Sequence, residues 1–300
     1  MAKRYLPAHQ RSETPPPMRL TARDKAIVQA IYEYRVLSSV QIEALLFPSD
    51  KLRGKRTVCQ RRLQLLYHHQ FIIRIPQPVV IGEGRAPFVY ALDERGAQLV
   101  ASQLGIDRAD VGWQPKYNRF GAMFLEHLLA INEVRVVMKL ISQDTLWNVT
   151  AWIDEAEFRT GAYAQQVPFR MKGARKVRIF PDGYFRLGQA DTHQEAHFFL
   201  EVDQGTMSNA RWQEKILAYR EFRDNGLSER FYGTRHFRVL TVTTSQKRLK
   251  NLQKATQRVK GDHYFWFTTQ EAIDIWQSQT ILKPIWRAPD KDELLPLFPS

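Results

Sequence analysis

The sequence predicts an α/β (α+β) protein of two domains, and three observations support this fold class. Residues 20–104 show three helical patterns, two β-rich apolar runs and a fourth helical pattern. Beyond them, helical and strand patterns alternate to about residue 287. Apolar residues make up 44% of the 300 residues, which is enough for each domain to bury a core of its own.

The N-terminal patterns have clear boundaries. Thr21 can cap a first helix, Ser38 or Ser39 can cap a second, and Pro48 ends that second helix. A third helix is predicted from Arg56 to about His69. The segment FIIRIPQPVVIGEGRAPFVYAL follows it and has the apolar runs and central glycines of a β-hairpin. Three helices followed by a hairpin predict a winged helix-turn-helix.

The rest of the chain completes the predicted organisation. Residues 1–18 are a flexible basic arm, 19–107 the winged helix-turn-helix with a closing helix, 108–287 a mixed-sheet α/β domain, and 288–300 an irregular tail. Within the second domain we expect helices at 122–140, 209–225 and 245–259, and strands near 146–159, 176–187, 195–204, 237–244 and 264–268.

The charge of the chain favours a polyanionic partner. Its 44 Lys and Arg against 31 Asp and Glu give a net charge of +13. Residues 1–96 alone hold 16 Lys and Arg against 8 Asp and Glu, so most of the excess lies in the first third. A concentrated positive charge beside a helix-turn-helix pattern indicates double-stranded DNA as the partner.

Other classes of protein are disfavoured by composition. Cys59 is the single cysteine, so an intrachain disulfide and a multi-cysteine zinc site are both excluded. The N-terminal residues lack an apolar signal core, and no run approaches the roughly 20 apolar residues that span a bilayer. We therefore expect a cytoplasmic protein.

The third predicted helix has the two faces that major-groove binding requires. One side carries Val58, Cys59, Leu63 and Leu66 for the core. The opposite side carries the candidate base contacts Thr57, Gln60, Arg61 and Gln64, together with His68. Arg62 falls nearer the apolar side. Candidate phosphate contacts are Arg53, Lys55 and Arg56 before or at the start of the helix, and Arg85 at the wing tip.

Three carboxylates mark a candidate catalytic site in the second domain. If the polar turn near Asp191 is a hairpin tip, Asp182 falls opposite Glu201, and alternation places Asp203 on the same face as Glu201. Clustered carboxylates need a compensating cation, either Mg²⁺ or a lysine such as Lys215. Mg²⁺ held by these three carboxylates would suit phosphodiester cleavage.

A simpler interpretation accompanies each candidate site. A polar helical face with arginines can be no more than a solvated surface, and some winged helices bind protein instead of DNA. Carboxylates on a strand can simply pair with Lys and Arg.

The chain resembles the replication-relaxation family of bacterial plasmid and mobile-element proteins. The likeness runs from about residue 19 to 287, and the order of the matching segments is more specific than any one of them. They are LTARDKAIVQAIYEYRVLSSVQI, YALDERGAQLV, EHLLAINEVRV, PDGYFRL, FFLEVDQGT, WQEKILAYREF, RVLTVTT with RLKNLQ, FWFTT and PIWR.

The resemblance implies a winged helix joined to a domain similar to the PD-(D/E)XK nuclease fold. On that pattern Pro181 and Asp182 match the PD element, and Glu201 matches the acidic position. The third element departs, since Asp203 stands where the pattern has lysine. Either Lys215 replaces the lysine of the pattern from a different position in the chain, or the site is a relic that holds DNA without cutting it.

The sequence leaves three functions open. The first is a DNA-binding protein of a plasmid or mobile element, acting in replication, relaxation or DNA processing, with a degenerate nuclease-like domain and no cofactor. The second is an active Mg²⁺-dependent nickase or endonuclease that uses Asp182, Glu201, Asp203 and Lys215. The third is an adaptor that docks a replication or recombination protein.

Overall fold

The structure is a computed structural model that describes most of the chain in two units. The described residues are 6–7, 10–47, 54–75, 77, 86–161, 163, 169–170, 176–189, 194–261 and 264–298. The chain divides into residues 1–132 and 133–300. The boundary lies further along the chain than the expected one at residue 107, because Leu125 and its neighbours pack into the core of the first unit.

The first unit has the element order expected of a winged helix-turn-helix. Its helices and strands are α1 (Ala22–Tyr34), β1 (Val36–Ser38), α2 (Ser39–Leu46), α3 (Lys55–His68), β2 (Ile72–Ile75), β3 (Val89–Leu92) and α4 (Glu94–Leu104). The strands form an antiparallel sheet in the order β1, β3, β2. The short strand β1 was not predicted, because three residues are too few to show a period.

Capping residues set the helix starts as the sequence predicts. Thr21 and Asp24 form a capping box at α1, and Ser38 and Gln41 form another at α2. Ile27 and Ile31 of α1 and Ile42 of α2 are fully buried between the helices. The expected hairpin is confirmed by the pairing of β2 with β3, while its tip at residues 78–85 lies outside the described residues.

The second unit is a mixed α/β domain. The helix α5 (Ala122–Asp144) crosses the boundary between the units. The elements after it are β4 (Trp147–Asp154), α6 (Glu155–Arg159), β5 (Phe169–Arg170), β6 (Lys176–Val177), β7 (Gly183–Gln189), β8 (Glu195–Asp203), α7 (Asn209–Asp224), α8 (Leu227–Tyr232), β9 (Arg238–Thr243), α9 (Gln246–Arg258) and β10 (Phe265–Thr269).

Five of these strands form one sheet in the order β10, β9, β8, β7, β4. The strands β8, β9 and β10 run parallel, β7 pairs antiparallel with β8, and β4 pairs antiparallel with β7. One face of the sheet is covered by α7 and α9, whose Trp212, Tyr219 and Leu252 share a core with Phe199 and Phe265. The predicted α/β fold class is thus confirmed, and the crossover helices place polar side chains of α7 and α9 over the end of β8.

The strand predicted near residues 146–159 ends at Asp154. Residues 155–159 alternate polar and apolar residues but form α6, in which Arg159 pairs with Glu155 one helical turn earlier. The tail is irregular as expected, since its described residues 288–298 form no helix or strand. It packs on the domain: Phe298 stacks on Trp147 with ring centroids 3.7 Å apart, and Leu297 is fully buried. None of the helices in the described residues is long and apolar enough to span a membrane.

Candidate functional sites

The helix α3 presents a polar face to solvent. Arg56, Thr57, Gln60 and Arg61 are all exposed, while Cys59, Leu63 and Leu66 are buried on the opposite side. Burial raises the pKa of the Cys59 thiol to about 12, so this cysteine is an inert core residue. Four of the predicted DNA contacts therefore share one accessible surface.

Arg62 belongs to the core of the first unit. Its guanidinium makes a two-pronged contact with Asp24, which is fully buried, and the Nε to Oδ1 distance is 2.7 Å. Burial acts to raise the pKa of Asp24, but hydrogen bonds from Arg62 and Thr21 outweigh it and lower the pKa. This ion pair fixes how α3 is rotated against α1, and so determines which side chains face solvent.

Two other side chains of α3, those of His68 and Val58, do not lie on the faces where they were predicted. His68 was expected on the polar face, but it is buried, and it accepts a hydrogen bond at Nδ1 from the Ser12 amide at 3.0 Å. Burial and the nearby Arg74 lower the pKa of His68. Val58 was expected in the core but is 37% exposed, because it lies on the first turn beyond the reach of α1 and α2.

The described part of the N-terminal arm, which was predicted to be flexible, packs against α3. Arg11 donates to the carbonyl groups of Tyr67 and Ile72 at 2.9 and 3.1 Å and pairs with Asp93. Gln64 is half-buried and donates to the Leu6 carbonyl at 3.2 Å, so its amide is partly engaged within the protein. Arg53, Arg85 and the side chain of Lys55 lie outside the described residues.

The predicted register of the carboxylate strands agrees with the structure. Gly183 of β7 pairs with Leu200 of β8, and continuing that register sets Asp182 opposite Glu201. The Asp182 amide donates to the Leu200 carbonyl at 3.0 Å, and the Asp182 carboxylate accepts from the Val202 amide at 2.6 Å. Asp182 is therefore held at the end of the β7 and β8 pair.

Glu201 is buried and is satisfied by two residues of α7. Lys215 makes an ion pair with Oε2 of Glu201, and the Tyr219 hydroxyl donates to Oε1 at 2.7 Å. Burial raises the pKa of Glu201 to about 7 against the lowering effect of Lys215. Burial also acts to lower the pKa of Lys215, but the carboxylates of Glu201 and Asp182 outweigh it and raise that pKa.

Asp203 is held by a different helix. Arg248 of α9 contacts both carboxylate oxygens, with Nε to Oδ2 at 2.7 Å and Nη2 to Oδ1 at 2.9 Å. The Thr243 hydroxyl donates to Oδ2 at 2.9 Å. Asp203 lies on the same side of β8 as Glu201, as alternation predicts, but its oxygens point at Arg248 and Thr243.

This arrangement does not fit a three-carboxylate magnesium site. The expected convergence of Asp182, Glu201 and Asp203 is wrong, because Lys215 with Tyr219 and Arg248 with Thr243 occupy the oxygens of the last two. In the part of the chain that the structure describes, no group of three or more His, Cys, Asp or Glu side chains is arranged to hold a metal ion. A lysine and an arginine supply the compensating positive charge instead.

Three residues of this site, Tyr219, Thr243 and Arg248, were missed from the sequence. Tyr219 could have been found, because its spacing of four residues from Lys215 on α7 puts both on one helical face. Arg248 carried no signal in the sequence, since it reaches Asp203 only because α9 follows β9 in the crossover. A cavity of about 690 Å³ lies elsewhere, at the opposite end of β8, where Glu195, His197 and Arg238 line it.

Comparison with known proteins identifies the family of the chain. The replication-relaxation family matches residues 28–239. The chain belongs to the replication-relaxation family. The matched region of this family member runs from α1 into β9 and so includes α3, Asp182, Glu201 and Lys215.

The other comparisons give no information on the activity of the chain. No curated protein matches it. Among solved structures, restriction endonuclease FokI matches at 11% identity with a TM-score of 0.28, over 86% of this chain and 44% of the endonuclease. The present chain thus spans less than half the length of that enzyme, and a likeness at this level says nothing of its activity.

Proposed function

We propose that this protein is a DNA-binding protein of a plasmid or other mobile element that acts in replication-related DNA processing, and that its N-terminal unit is a winged helix-turn-helix for double-stranded DNA. The observation that carries the proposal is the exposed polar face of α3 formed by Arg56, Thr57, Gln60 and Arg61. Membership of the replication-relaxation family supports the link to replication.

The chemistry of this face suits a DNA major groove. Arginine binds the O6 and N7 edge of guanine with two hydrogen bonds, and glutamine does the same for the N6 and N7 edge of adenine. Arg61 and Gln60 supply these two groups on adjacent positions, and Arg56 on the first turn can contact a phosphate. Because Arg62 is engaged with Asp24, the basic residues left at the surface lie on one side of the helix.

The test is DNA binding across a salt series. We expect the full chain to bind origin-proximal duplex from its own element more tightly than random duplex, with affinity falling as salt rises. Arg61→Ala should weaken binding to the specific duplex roughly 10-fold or more, since a two-pronged arginine–base interaction is worth about 1 to 3 kcal/mol. Arg119→Ala removes an exposed arginine outside α3 and should leave affinity unchanged.

Two results would contradict this assignment. Affinity that is insensitive to salt would show that phosphates are not bound. Equal effects of Arg61→Ala and Arg119→Ala would show that α3 has no special part in recognition.

We further propose that the second unit does not cleave DNA through a three-carboxylate metal site. Both Glu201 and Asp203 are buried and paired with cationic side chains, so a divalent ion would have to displace Lys215 and Arg248. We expect supercoiled plasmid to remain intact with the full chain and Mg²⁺ or Mn²⁺. Nicking that appears with the unaltered chain and is abolished in Asp182→Ala would overturn this proposal.

A further inference from the structure

The helix α9 carries a row of exposed basic residues that we call the basic stripe. Its members are Lys247, Lys250, Lys254 and Arg258, all exposed. Residues 245–261 contain six Lys and Arg and no Asp or Glu, and only Arg248 among the six pairs with a carboxylate in the described residues. Among the helices of the described residues, no other has as many Lys and Arg residues without a single Asp or Glu.

Helix geometry aligns the stripe. With about 100° per residue, positions 247, 250, 254 and 258 fall within a sector of roughly 80° on one side of the helix. At 1.5 Å per residue the stripe is about 17 Å long. Duplex DNA carries one negative charge per 3.4 Å along each strand, so a stripe of this length faces about five phosphates of one strand.

The basic stripe lowers the stability of α9 unless an anion lies close to it. Like charges three or four residues apart destabilise a helix by a few tenths of a kcal/mol per pair. Surface helices commonly offset this with acidic partners, as Glu155 does for Arg159 on α6 at 2.7 Å. In the described residues, α9 offers its lysines no such partner, so the repulsion along the stripe favours the binding of an external anion.

The side of α9 that faces the protein argues against insertion of this helix into a lipid bilayer. Membrane-binding basic helices insert an apolar face into the bilayer. On α9 that face is Leu249, Leu252 and Ala255, all buried in the core of the second unit. Arg248 pairs with Asp203, and the side-chain amide of Gln253 donates to the Ala288 carbonyl at 2.8 Å. These two contacts hold α9 on the second unit.

We propose that the basic stripe of α9 binds the phosphate backbone of duplex DNA, as a second contact surface that is independent of base sequence. The inference rests on the proposed function in that DNA is the ligand, and it goes further by assigning the second unit a surface that holds DNA. The stripe extends from the end of α9 near Asp203, so DNA on it would pass the end of β8 where Glu201 pairs with Lys215 of α7.

The experiment compares two triple variants of the full chain. The first is Lys247→Gln with Lys250→Gln and Lys254→Gln. The second, a matched control, is Lys139→Gln with Lys283→Gln and Lys291→Gln, three exposed lysines of the second unit outside α9. Glutamine has nearly the helix propensity of lysine, and circular dichroism should show both variants folded.

We expect the stripe variant to bind specific and random duplexes more weakly by the same factor, roughly 10-fold or more near physiological salt. The slope of log K against log salt should become shallower by about 0.9 for each phosphate that the variant no longer neutralises, and so by up to about 2.7. The control should keep the slope of the unaltered chain. An unchanged slope in the stripe variant, or an equal change in the control, overturns the inference.

Two further measurements distinguish this inference from the proposed function. Arg61→Ala reduces the preference for the specific duplex, whereas the stripe variant leaves that preference intact. If Arg61→Ala is silent while the stripe variant lowers the slope, the proposed role of α3 fails and the stripe stands. Binding of the unaltered chain to phosphatidylserine vesicles that disappears in the stripe variant, while DNA affinity is unchanged, overturns DNA as its ligand.

Discussion

Arg248 holds both carboxylate oxygens of Asp203, at 2.7 and 2.9 Å, and joins α9 to the end of β8. Its Nη2 also donates to the Met207 carbonyl at 2.6 Å. The side chain of Asp203 is 3% exposed and that of Arg248 is 15% exposed. This geometry gives Asp203 a structural role.

We expect Arg248→Met to lower the free energy of unfolding by about 3 to 5 kcal/mol, because it leaves the Asp203 carboxylate buried without its cation. Urea unfolding at pH 7 measures the change. The control is the double variant Asp203→Asn with Arg248→Met, which removes the buried charge and should lose clearly less stability than Arg248→Met alone. A loss below about 1 kcal/mol in the single variant would contradict the structural role.

The stability of the protein should depend on pH through Glu201. Its pKa is raised to about 7 from the ordinary value of 4.5, so the folded state binds more protons than the unfolded state between these values. The stabilisation is fully present below pH 4.5 and is lost as the pH rises through about 7, by up to about 3 kcal/mol. Urea unfolding of the unaltered chain and of Glu201→Gln, from about pH 4.5 to about pH 8, measures it.

Glu201→Gln should show a flatter pH profile than the unaltered chain, since glutamine does not ionise. Glu195→Gln alters an exposed carboxylate of the same strand and should keep the profile of the unaltered chain. Parallel profiles for the unaltered chain and Glu201→Gln would show that Glu201 does not titrate in this range.

Adjacent arginines of α3 should behave differently. Arg62→Ala leaves Asp24 buried without its cation and should cost about 3 kcal/mol or more of stability. Arg61→Ala changes an exposed side chain and should alter stability by less than about 0.5 kcal/mol while weakening DNA binding. Thermal unfolding and DNA titration of both variants test this division of roles, and a destabilised Arg61→Ala would count against it.

The cost of Arg62→Ala should also depend on pH. The pKa of Asp24 is lowered in the folded state, so the ion pair stabilises the protein above the ordinary carboxyl pKa of 3.8. That stabilisation is lost as the pH falls from 3.8 through the lowered pKa of the folded state, because the unfolded state takes up the proton first. We expect the gap in unfolding free energy between Arg62→Ala and the unaltered chain to narrow there.

Asn132 should stabilise the turn between α1 and β1. Its side-chain amide donates to the carbonyl groups of Tyr34 and Val36 at 3.1 and 2.7 Å, on either side of Arg35 with its φ of 64°. Asn132→Ala leaves two buried acceptors without this donor and should cost about 2 to 3 kcal/mol. Glu126→Ala on the exposed side of α5 is the control, and similar melting temperatures for both variants would contradict the prediction.

Local signals in the sequence were sufficient for most of the elements. Thr21 and Ser38 start the helices that they were predicted to cap, because capping depends on residues only three positions apart. The pairing of Asp182 with Glu201 was also predictable, since a hairpin register follows from counting along two adjacent strands. Exposure of Gln60 and Arg61 follows from helical periodicity alone.

The sequence by itself therefore determined the α/β fold class, the order of the longer elements and the solvent-facing side of α3, because these depend on short-range periodicity and capping. Only the tertiary structure decided that Arg62 pairs with Asp24 and that Arg248 pairs with Asp203, residues 38 and 45 positions apart. Such pairs depend on how helices pack on the sheet. That packing turned three carboxylates predicted to share a metal ion into two buried ion pairs and a strand-end contact.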